Sequence, residues 1–319
     1  MSRLFLGVEI GGTKQQVIVG NEKGEIVDMI SERFPLPNGA KDVLDWMEKK
    51  IPILKDKYPT VERIGVGFGG PMASTTGKIL ISVQVPGWKD FELNTWFTEK
   101  FNLPTVSVVD TVAGGYAELH LGAGRGSKIF FYSNIGTGIG GALYINGKTF
   151  DGTGNGGMYF GNTFVSDWTA SEPGKVEKIE NLCSGTAIER RLRTPGYVPK
   201  DSMLMELCGG DFASLNCKQL KVAAEAEDKF ALEELDRIGY SYGQGLATVI
   251  SLIGPDKIAI GGGVANMGEV LVRPMRKYAD QYVFISGKGT YTVEPCELMD
   301  NNVPVGAVLY ARDGFNAVG

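Results

Sequence analysis

The sequence predicts a mixed α/β fold of two related halves, each with a sheet that begins in an antiparallel hairpin. Three observations support this prediction. At 319 residues the chain is longer than one hydrophobic core usually grows. Two glycine-turn segments share one design, and helical and buried-strand patterns follow both of them. We expect the two halves to present their glycine turns to one cleft that binds a ligand.

The repeated segment begins at Ile10-Gly11-Gly12-Thr13 and again at Ile135-Gly136-Thr137-Gly138. Each copy continues into an apolar stretch and then a tight turn, at Asn21 and at Asn146, with the same spacing in both copies. This order is typical of a strand, a glycine turn, a second strand, a tight turn and a third strand. We therefore predict the same hairpin system in both halves.

Further elements follow each hairpin. Residues 42–51 have apolar side chains at helical spacing, and residues 61–68 predict a buried strand that ends at Gly69-Gly70-Pro71. In the second half, residues 218–253 predict a long helical region, and a strand at 257–260 leads into a run of three glycines.

This order of elements suggests the domain boundaries. The N-terminal domain is predicted over residues 1–112 and a larger C-terminal domain over 113–302. A last helix, over residues 303–319, is expected to pack back onto the N-terminal domain.

Composition and charge disfavour several classes of protein. The net charge of −5 has both signs interspersed, so no basic surface is available for nucleic acid or an anionic membrane. No stretch has the length of a membrane span or the form of a signal peptide. Four scattered cysteines and one histidine lack zinc-site spacing, and we expect free thiols in a cytoplasmic protein.

The glycine turns suit polyphosphate, because backbone N–H groups reach its oxygens only where no side chain intervenes. A single turn could be an ordinary hairpin turn, whereas two in one register favour two loops that bind one nucleotide. Lys14 follows the first turn, but the P-loop pattern and its helix are absent. The run Gly261-Gly262-Gly263 lacks dinucleotide-binding spacing, and we interpret it as part of an adenine or ribose pocket.

Five segments together resemble the ROK family (repressors, open reading frames and kinases). They occur in order between Leu4 and Arg312, and they are residues 8–14, 109–110, 135–141, 184–188 and 260–264. The resemblance implies an actin-like ATPase fold of two ribonuclease-H-like domains with a nucleotide and substrate cleft between them. It also implies ATP with Mg²⁺, a small sugar or cyclic polyol as substrate, and a homodimer.

The resemblance assigns roles residue by residue, with Asp110 matching the catalytic aspartate. The residues that it assigns to the nucleotide and its magnesium are Glu9, Gly11, Gly12, Thr13, Lys14, Gly136, Thr137, Gly138, Gly261, Gly262 and Gly263. The residues that we assign to the substrate are Gly70, Pro71, Gln84, Val109, Asp110, Asn134, Tyr159, Asn162 and Glu180. For Glu180, a plain surface carboxylate is an equally good interpretation.

The chemistry of Asp110 fits this role. A sugar hydroxyl is a weak acid, so transfer of a phosphoryl group is helped by a carboxylate that orients the hydroxyl and accepts its proton. Asp110 follows the apolar run 106–109, which places it at a strand end, where a cleft would open. A strand-end aspartate is otherwise often a turn residue or a helix cap, but the flanking motifs favour catalysis.

The substrate side departs from the family pattern. Val109 and Gln84 stand where relatives have asparagines. Tyr159 and Asn162 stand where the family pattern has a glutamate and a histidine, which contact the sugar and zinc. Such sites match each buried polar group with a partner, so these changes together predict a changed substrate. A hexose, a ketose, or a cyclitol or inosose remains open.

The metal side departs in two further ways. Glu9 replaces the usual aspartate of the first phosphate loop, and it retains a carboxylate for Mg²⁺ or its waters. The segment 163–182 has no cysteine, so we expect no structural zinc site.

Three other functions compete with that of a kinase. A repressor would need a DNA-binding domain before Glu9, and we expect none there. A catalytically silent sugar-binding or regulatory protein remains the alternative, although Asp110 and both phosphate loops are retained. A nicotinamide-linked oxidoreductase is disfavoured by the missing dinucleotide fingerprint.

Overall fold

The computed structural model describes residues 2–12, 14–82, 85–154 and 158–318. Thr13 and Gln84, both predicted site residues, lie outside the described residues. The strands are β1 (Leu4–Ile10), β2 (Lys14–Asn21), β3 (Ile26–Arg33), β4 (Val61–Phe68), β5 (Met72–Ala73), β6 (Lys78–Ile79), β7 (Phe91–Glu92), β8 (Thr105–Val109), β9 (Ile129–Ile135), β10 (Ile139–Ile145), β11 (Lys148–Phe150), β12 (Phe164–Ser166), β13 (Val176–Lys178), β14 (Lys257–Gly261), β15 (Thr292–Pro295) and β16 (Ala317–Val318). The helices are α1 (Ala40–Lys57), α2 (Leu93–Phe101), α3 (Asp110–Leu121), α4 (Ile179–Cys183), α5 (Gly185–Leu192), α6 (Met203–Leu207), α7 (Cys217–Glu225), α8 (Lys229–Ile253), α9 (Glu269–Tyr282) and α10 (Asn302–Asp313).

The first large sheet has the strand order β3-β2-β1-β4-β8. Strands β1, β2 and β3 form an antiparallel meander, whereas β4 pairs in parallel with both β1 and β8. The side chains of β1 and β4 are mostly buried, as expected for central strands that are covered on both faces.

The second large sheet has the order β15-β14-β9-β10-β11-β16. Apart from the edge strand β16, this is the same arrangement, because β9, β10 and β11 correspond to β1, β2 and β3. The parallel neighbours β14 and β15 then correspond to β4 and β8. The repeat predicted from the two glycine-turn segments is therefore confirmed in the strand order. Two smaller antiparallel sheets are formed by β5-β6-β7 and by β12-β13.

The chain divides into two compact units. The first unit comprises residues 1–128, 142–158 and 300–319, and the second comprises residues 129–141 and 159–299. Helix α3 belongs to the first unit, because it packs against α10 and β4. Compact units do not by themselves define domains, so the boundaries at residues 112 and 302 stay a prediction.

Helix α10 lies against β1, β4 and α3 of the first unit, and glycines permit this close approach. A Cβ atom on Gly65 would lie 1.8 Å from the carbonyl oxygen of Ala307, and one on Gly306 would lie 1.8 Å from that of Ala113. These glycines are required by packing, because any side chain would overlap the facing backbone.

The predicted helical region 218–253 is two helices, α7 and α8. Asp228 caps the second, since its side chain accepts a hydrogen bond from the backbone N–H of Ala231. Glu227 has a positive φ of 62°, which ends the first helix. The apolar periodicity predicted the helices correctly but missed this break.

Candidate functional site

Three strand ends meet at one edge of the first sheet. Ile10 pairs with Phe68, and Phe68 pairs with Val109, so the parallel strands β1, β4 and β8 end side by side. The residues that follow them, at 11–12, 69–71 and 110, therefore share this edge. The backbone N–H of Gly69 donates to the carbonyl of Ile10 over 3.0 Å. Residues that are far apart in the sequence thus form one candidate site.

Asp110 is half-buried at this edge and is the first residue of α3. Its Oδ1 accepts a hydrogen bond of 2.7 Å from the N–H of Thr111. A Cβ atom on Gly69 would lie 3.4 Å from Oδ2, so the absence of a side chain there keeps space beside the carboxylate. The strand-end position predicted for Asp110 is confirmed, and it coincides with a helix start.

The pKa of Asp110 is raised to about 7. Burial is the main cause, and the negative charge of Glu9 acts in the same direction. The hydrogen bond from Thr111 opposes both, because it stabilises the ionised form. A carboxyl with a pKa near neutrality can accept a proton and release it again at ordinary pH.

Glu9 lies one residue before the end of β1 and is held by two neighbours. Its Oε2 accepts a hydrogen bond of 2.6 Å from Nε2 of Gln16 and lies 3.3 Å from Nζ of Lys14. Nζ of Lys14 also donates to the backbone carbonyl of Asp300 over 3.3 Å. Glu9 and Lys14, both predicted for the nucleotide, are therefore in contact.

Gln15 was missed by the sequence reasoning. Its side chain is fully buried, and Nε2 donates to the carbonyl of Gly11 over 2.8 Å, while Oε1 has no hydrogen-bond partner. The signal that could have found it is two consecutive glutamines directly before the apolar run 17–19 of β2. Gln15 fixes the entry to the first glycine turn.

The predicted substrate residues Gly70 and Pro71 lie just past β4. The N–H of Gly70 donates to the carbonyl of Phe68 over 3.0 Å, and the carbonyl of Pro71 accepts from Leu80 over 3.0 Å. Val109 presents an apolar side chain directly before Asp110, so it supplies no side-chain hydrogen bond to a substrate.

In the second unit, the turn at Gly136–Gly138 connects β9 to β10. The N–H of Gly136 donates to the carbonyl of Gly138 over 2.9 Å, and Thr137 is exposed. The start of α5 adjoins this turn, because the N–H of Gly185 donates to Gly136 over 2.8 Å and Oγ1 of Thr186 donates to Thr137 over 2.8 Å.

The run Gly261–Gly263 adjoins the same turn. Gly261 pairs with Asn134 of β9, and the N–H of Val264 donates to the carbonyl of Ile135 over 3.0 Å. A Cβ atom on Gly185 would lie 2.9 Å from the carbonyl of Gly136 and 3.1 Å from a methyl group of Val264. The structure thus brings three of the sequence motifs together in this unit.

The three positions of this run are occupied by glycine for different reasons. A Cβ on Gly261 would lie 2.7 Å from the hydroxyl of Tyr132, and Gly262 has a φ of +87°. Gly263 has no atom within 4 Å of an added Cβ. Its lack of a side chain is therefore not explained by packing.

Four predicted substrate residues of the second unit lie around the start of β10. Oδ1 of Asn134 accepts from the N–H of Gly140, and Oε2 of Glu180 accepts from the N–H of Ile139, each over 2.7 Å. Tyr159 directly precedes a short helical turn, Phe160–Asn162, which packs against Ile139 and has Asn162 as its last residue. Tyr159 is 50% exposed, and Oδ1 of Asn162 accepts from Nζ of Lys178 over 3.1 Å.

The described part of the chain contains neither a metal-type cluster of side chains nor a helix suited to a membrane. It has no group of three or more His, Cys, Asp and Glu side chains arranged to hold a metal ion. None of its helices has the length and apolar character needed to cross a membrane.

Comparison with known proteins matched the ROK family model to residues 5–313. The chain is 29% identical over 310 residues to a glucokinase of Thermotoga maritima, with 97% of each chain covered. It is 29% identical over 290 residues to a glucokinase of Halalkalibacterium halodurans, with 88% of this chain and 86% of that one covered. The structure of a ROK family glucokinase from Streptomyces griseus, in complex with glucose and AMPPNP, matches with a TM-score of 0.85 and 26% identity. That match covers 98% of this chain and all of the other.

Proposed function

The chain belongs to the ROK family as an ATP-dependent sugar kinase with the actin-like ATPase fold, and we propose that it phosphorylates a hydroxyl of a small sugar or sugar-like polyol with Asp110 as the general base. The observation that carries the proposal is Asp110, a half-buried strand-end carboxylate beside Gly69 with a pKa raised to about 7.

In the proposed reaction, Asp110 accepts a hydrogen bond from the acceptor hydroxyl. The hydroxyl oxygen attacks the γ-phosphorus of ATP, and the bond from that phosphorus to the β–γ bridging oxygen breaks. The hydroxyl proton passes to Asp110, and ADP leaves with the electron pair of the broken bond. Asp110 then returns the proton to solvent, which its near-neutral pKa permits.

We assign the nucleotide to glycine-rich backbone turns. In the second unit, the turn Gly136–Gly138 supplies N–H groups for phosphate, and the run Gly261–Gly263 borders the adenosine. The open space above Gly263 supports this assignment, because packing does not require a glycine there. In the first unit, residues 11–14 are assigned to the phosphates.

Glu9 is the residue that we assign to Mg²⁺ or its waters. Carboxylate oxygens are ligands that Mg²⁺ prefers, and the ion would neutralise negative charge on the phosphates. Lys14 forms an ion pair with Glu9, because its Nζ lies 3.3 Å from Oε2 of that carboxylate.

The substrate is proposed to be a hexose, a ketose, or a cyclitol or inosose. Val109 removes one amide contact next to the base, and Tyr159 and Asn162 replace acidic and imidazole groups of the family pattern. In the second unit, the amide of Asn134 and the carboxylate of Glu180 lie at the start of β10, and each accepts a hydrogen bond from a backbone N–H there. A site whose hydrogen-bonding side chains have changed is expected to bind a substrate whose hydroxyl groups lie at different positions.

The experiment that tests this function is a coupled ADP-release screen across hexoses, ketoses, amino sugars, inositols and inososes. For the substrate found, Asp110→Asn should lower kcat by about 10²–10⁴-fold, as expected for removal of a positioned base. Binding of ATP and substrate should change little, because the amide keeps the shape of the carboxylate.

Glu269→Gln is a matched control, because Glu269 is also a carboxylate at the first residue of a helix. This variant should retain full activity. If Asp110→Asn turned over as fast as the unchanged protein, the assignment of the base would be wrong. Binding of a sugar without any ATP turnover would instead support the catalytically silent alternative.

Magnesium dependence, a homodimer and a cytoplasmic location complete the proposal. The first is tested by titrating Mg²⁺ into the assay, the second by light scattering, and the third by cell fractionation.

A further inference from the structure

The turn Gly136–Gly138 and the strand that follows it are held by three hydrogen bonds from two short helices. Gly185 and Thr186, at the start of α5, donate to the carbonyls of Gly136 and Thr137, each over 2.8 Å. Glu180 of α4 accepts from the N–H of Ile139 over 2.7 Å. The position of the turn therefore depends on where α4 and α5 lie.

Arg191, near the end of α5, fixes both of these helices. Its Nη1 donates to the carbonyl of Leu182 in α4 over 2.6 Å. Its Nε and Nη2 donate to Oε1 of Glu234 over 2.9 and 2.7 Å. Glu234 belongs to the 25-residue helix α8, so one guanidinium ties two short helices to a long one.

The Arg191–Glu234 pair is buried, and each carboxylate oxygen of Glu234 accepts a hydrogen bond. Glu234 is 0% exposed and Arg191 is 8% exposed. The hydroxyl of Tyr197 donates to Oε2 of Glu234 over 2.5 Å, and the guanidinium of Arg191 lies 4.9 Å from the ring centroid of Trp168.

Such a pair contributes little net stability compared with well-packed apolar side chains, because both charges lose their hydration. The pair does fix the orientation of the helices that it joins, since a planar guanidinium holds its donors in a rigid fork. Its main contribution is therefore to the position of α4 and α5 and not to the net stability of the protein. Arg191 lies six residues beyond Gly185, about 9 Å along α5, so it controls the end of the helix opposite to the turn.

We propose that the buried Arg191–Glu234 pair positions the ATP-binding turn Gly136–Gly138. The pair does so by holding α4 and α5 against this turn. The proposal rests on the nucleotide role assigned to this turn above. Arg191 and Glu234 are positioning residues that act through Glu180, Gly185 and Thr186.

The test uses two variants at opposite ends of α5, namely Thr186→Val and Arg191→Lys. Thr186→Val removes the hydroxyl that bonds to Thr137 while keeping its volume, and Thr186 is exposed, so folding should be unaffected. Arg191→Lys keeps the positive charge but loses the fork. Each should raise the KM for ATP and the dissociation constant for ADP by about three- to tenfold, as expected for one lost hydrogen bond. The KM for the sugar should change less than about twofold.

Two control variants separate positioning from general damage. Thr186→Ser keeps the hydroxyl and should restore the ATP affinity that Thr186→Val loses. Arg237→Lys alters a second arginine near Glu234, at 3.9 Å, but Arg237 lies on α8 itself, so the link to α4 and α5 remains. Its affinity for ADP should be unchanged.

The double variant Thr186→Val with Arg191→Lys gives a further readout. Because both changes act on one turn, the double variant should lose less ADP affinity than the product of the single losses. ADP affinities are measured by calorimetry, so the test does not depend on finding the sugar. Unchanged ADP affinity in both single variants, with only a lower melting temperature for Arg191→Lys, would overturn the proposal.

Failure of the positioning proposal can be distinguished from failure of the proposed kinase function. Unchanged protein that binds ADP but phosphorylates no sugar would refute the kinase assignment, while the ADP comparison would still decide the positioning role. Unchanged protein that binds no ADP would refute both.

Discussion

Asp110 and Glu9 form a pair of carboxylates whose charges interact. Burial raises the pKa of Asp110 to about 7, and the charge of Glu9 adds to that effect. A base must be ionised to accept a proton, so the fraction of active enzyme should increase as the pH rises through this pKa. Sequence reasoning found Asp110 but could not find its pKa, since burial and neighbouring charge exist only in the folded chain.

We therefore expect kcat/KM for the sugar to fall on the acid side with an apparent pKa near 7. Glu9→Gln removes a negative charge near Asp110 and should lower the pKa of Asp110 in protein without ATP and Mg²⁺, where no ion offsets that charge. NMR titration of the Asp110 carboxyl carbon in the two proteins measures the shift. A pKa that stayed in place, or rose, would contradict the coupling.

Among the elements, the glycine-rich turns and helix α10 use glycine for different reasons. Gly306 lies in α10, where a Cβ would overlap the carbonyl of Ala113. Gly263 lies in a turn where a Cβ would meet nothing within 4 Å. Both are single letters in the sequence, and neither spacing nor composition separates the packing role from the ligand role.

Gly306→Ala should lower the free energy of unfolding by about 1–3 kcal/mol, because overpacking outweighs the better helix propensity of alanine. Gly263→Ala should change it by less than about 0.5 kcal/mol but should weaken ATP binding, since the new methyl group would occupy the proposed adenosine side. Chemical denaturation and calorimetry with ATP measure the two effects. Strong destabilisation by Gly263→Ala, or unchanged ATP affinity, would contradict this distinction.

At the scale of the whole molecule, the same strand order recurs in the two large sheets. The described residues include no group of three or more His, Cys, Asp and Glu side chains arranged to hold a metal ion. In the second unit, Arg191 and Tyr197 both donate hydrogen bonds to Glu234 of α8.

We predict that protein purified without added metal carries no stoichiometric zinc. Its melting temperature without nucleotide should then be the same with and without EDTA, because no structural ion is removed. Elemental analysis and thermal unfolding provide the measurements. One zinc per chain, or a clear loss of stability in EDTA, would show that a metal site exists after all.

The sequence by itself determined the fold class, the repeat and the catalytic candidate. Glycine turns with the same spacing in both halves, and apolar runs between them, are local patterns. Local patterns can be identified from the sequence alone. The order of motifs was enough to indicate the ROK family, which residues 5–313 match.

Only the tertiary structure decided which of these residues work together. The parallel pairing of β1, β4 and β8 brings Gly69 beside Asp110, and the start of α5 meets the turn at Thr137. The buried contacts of Gln15 and Arg191 were likewise invisible beforehand. The physical reason is that such contacts join residues far apart in sequence, so burial, charge and hydrogen bonding at the site follow from packing rather than from spacing.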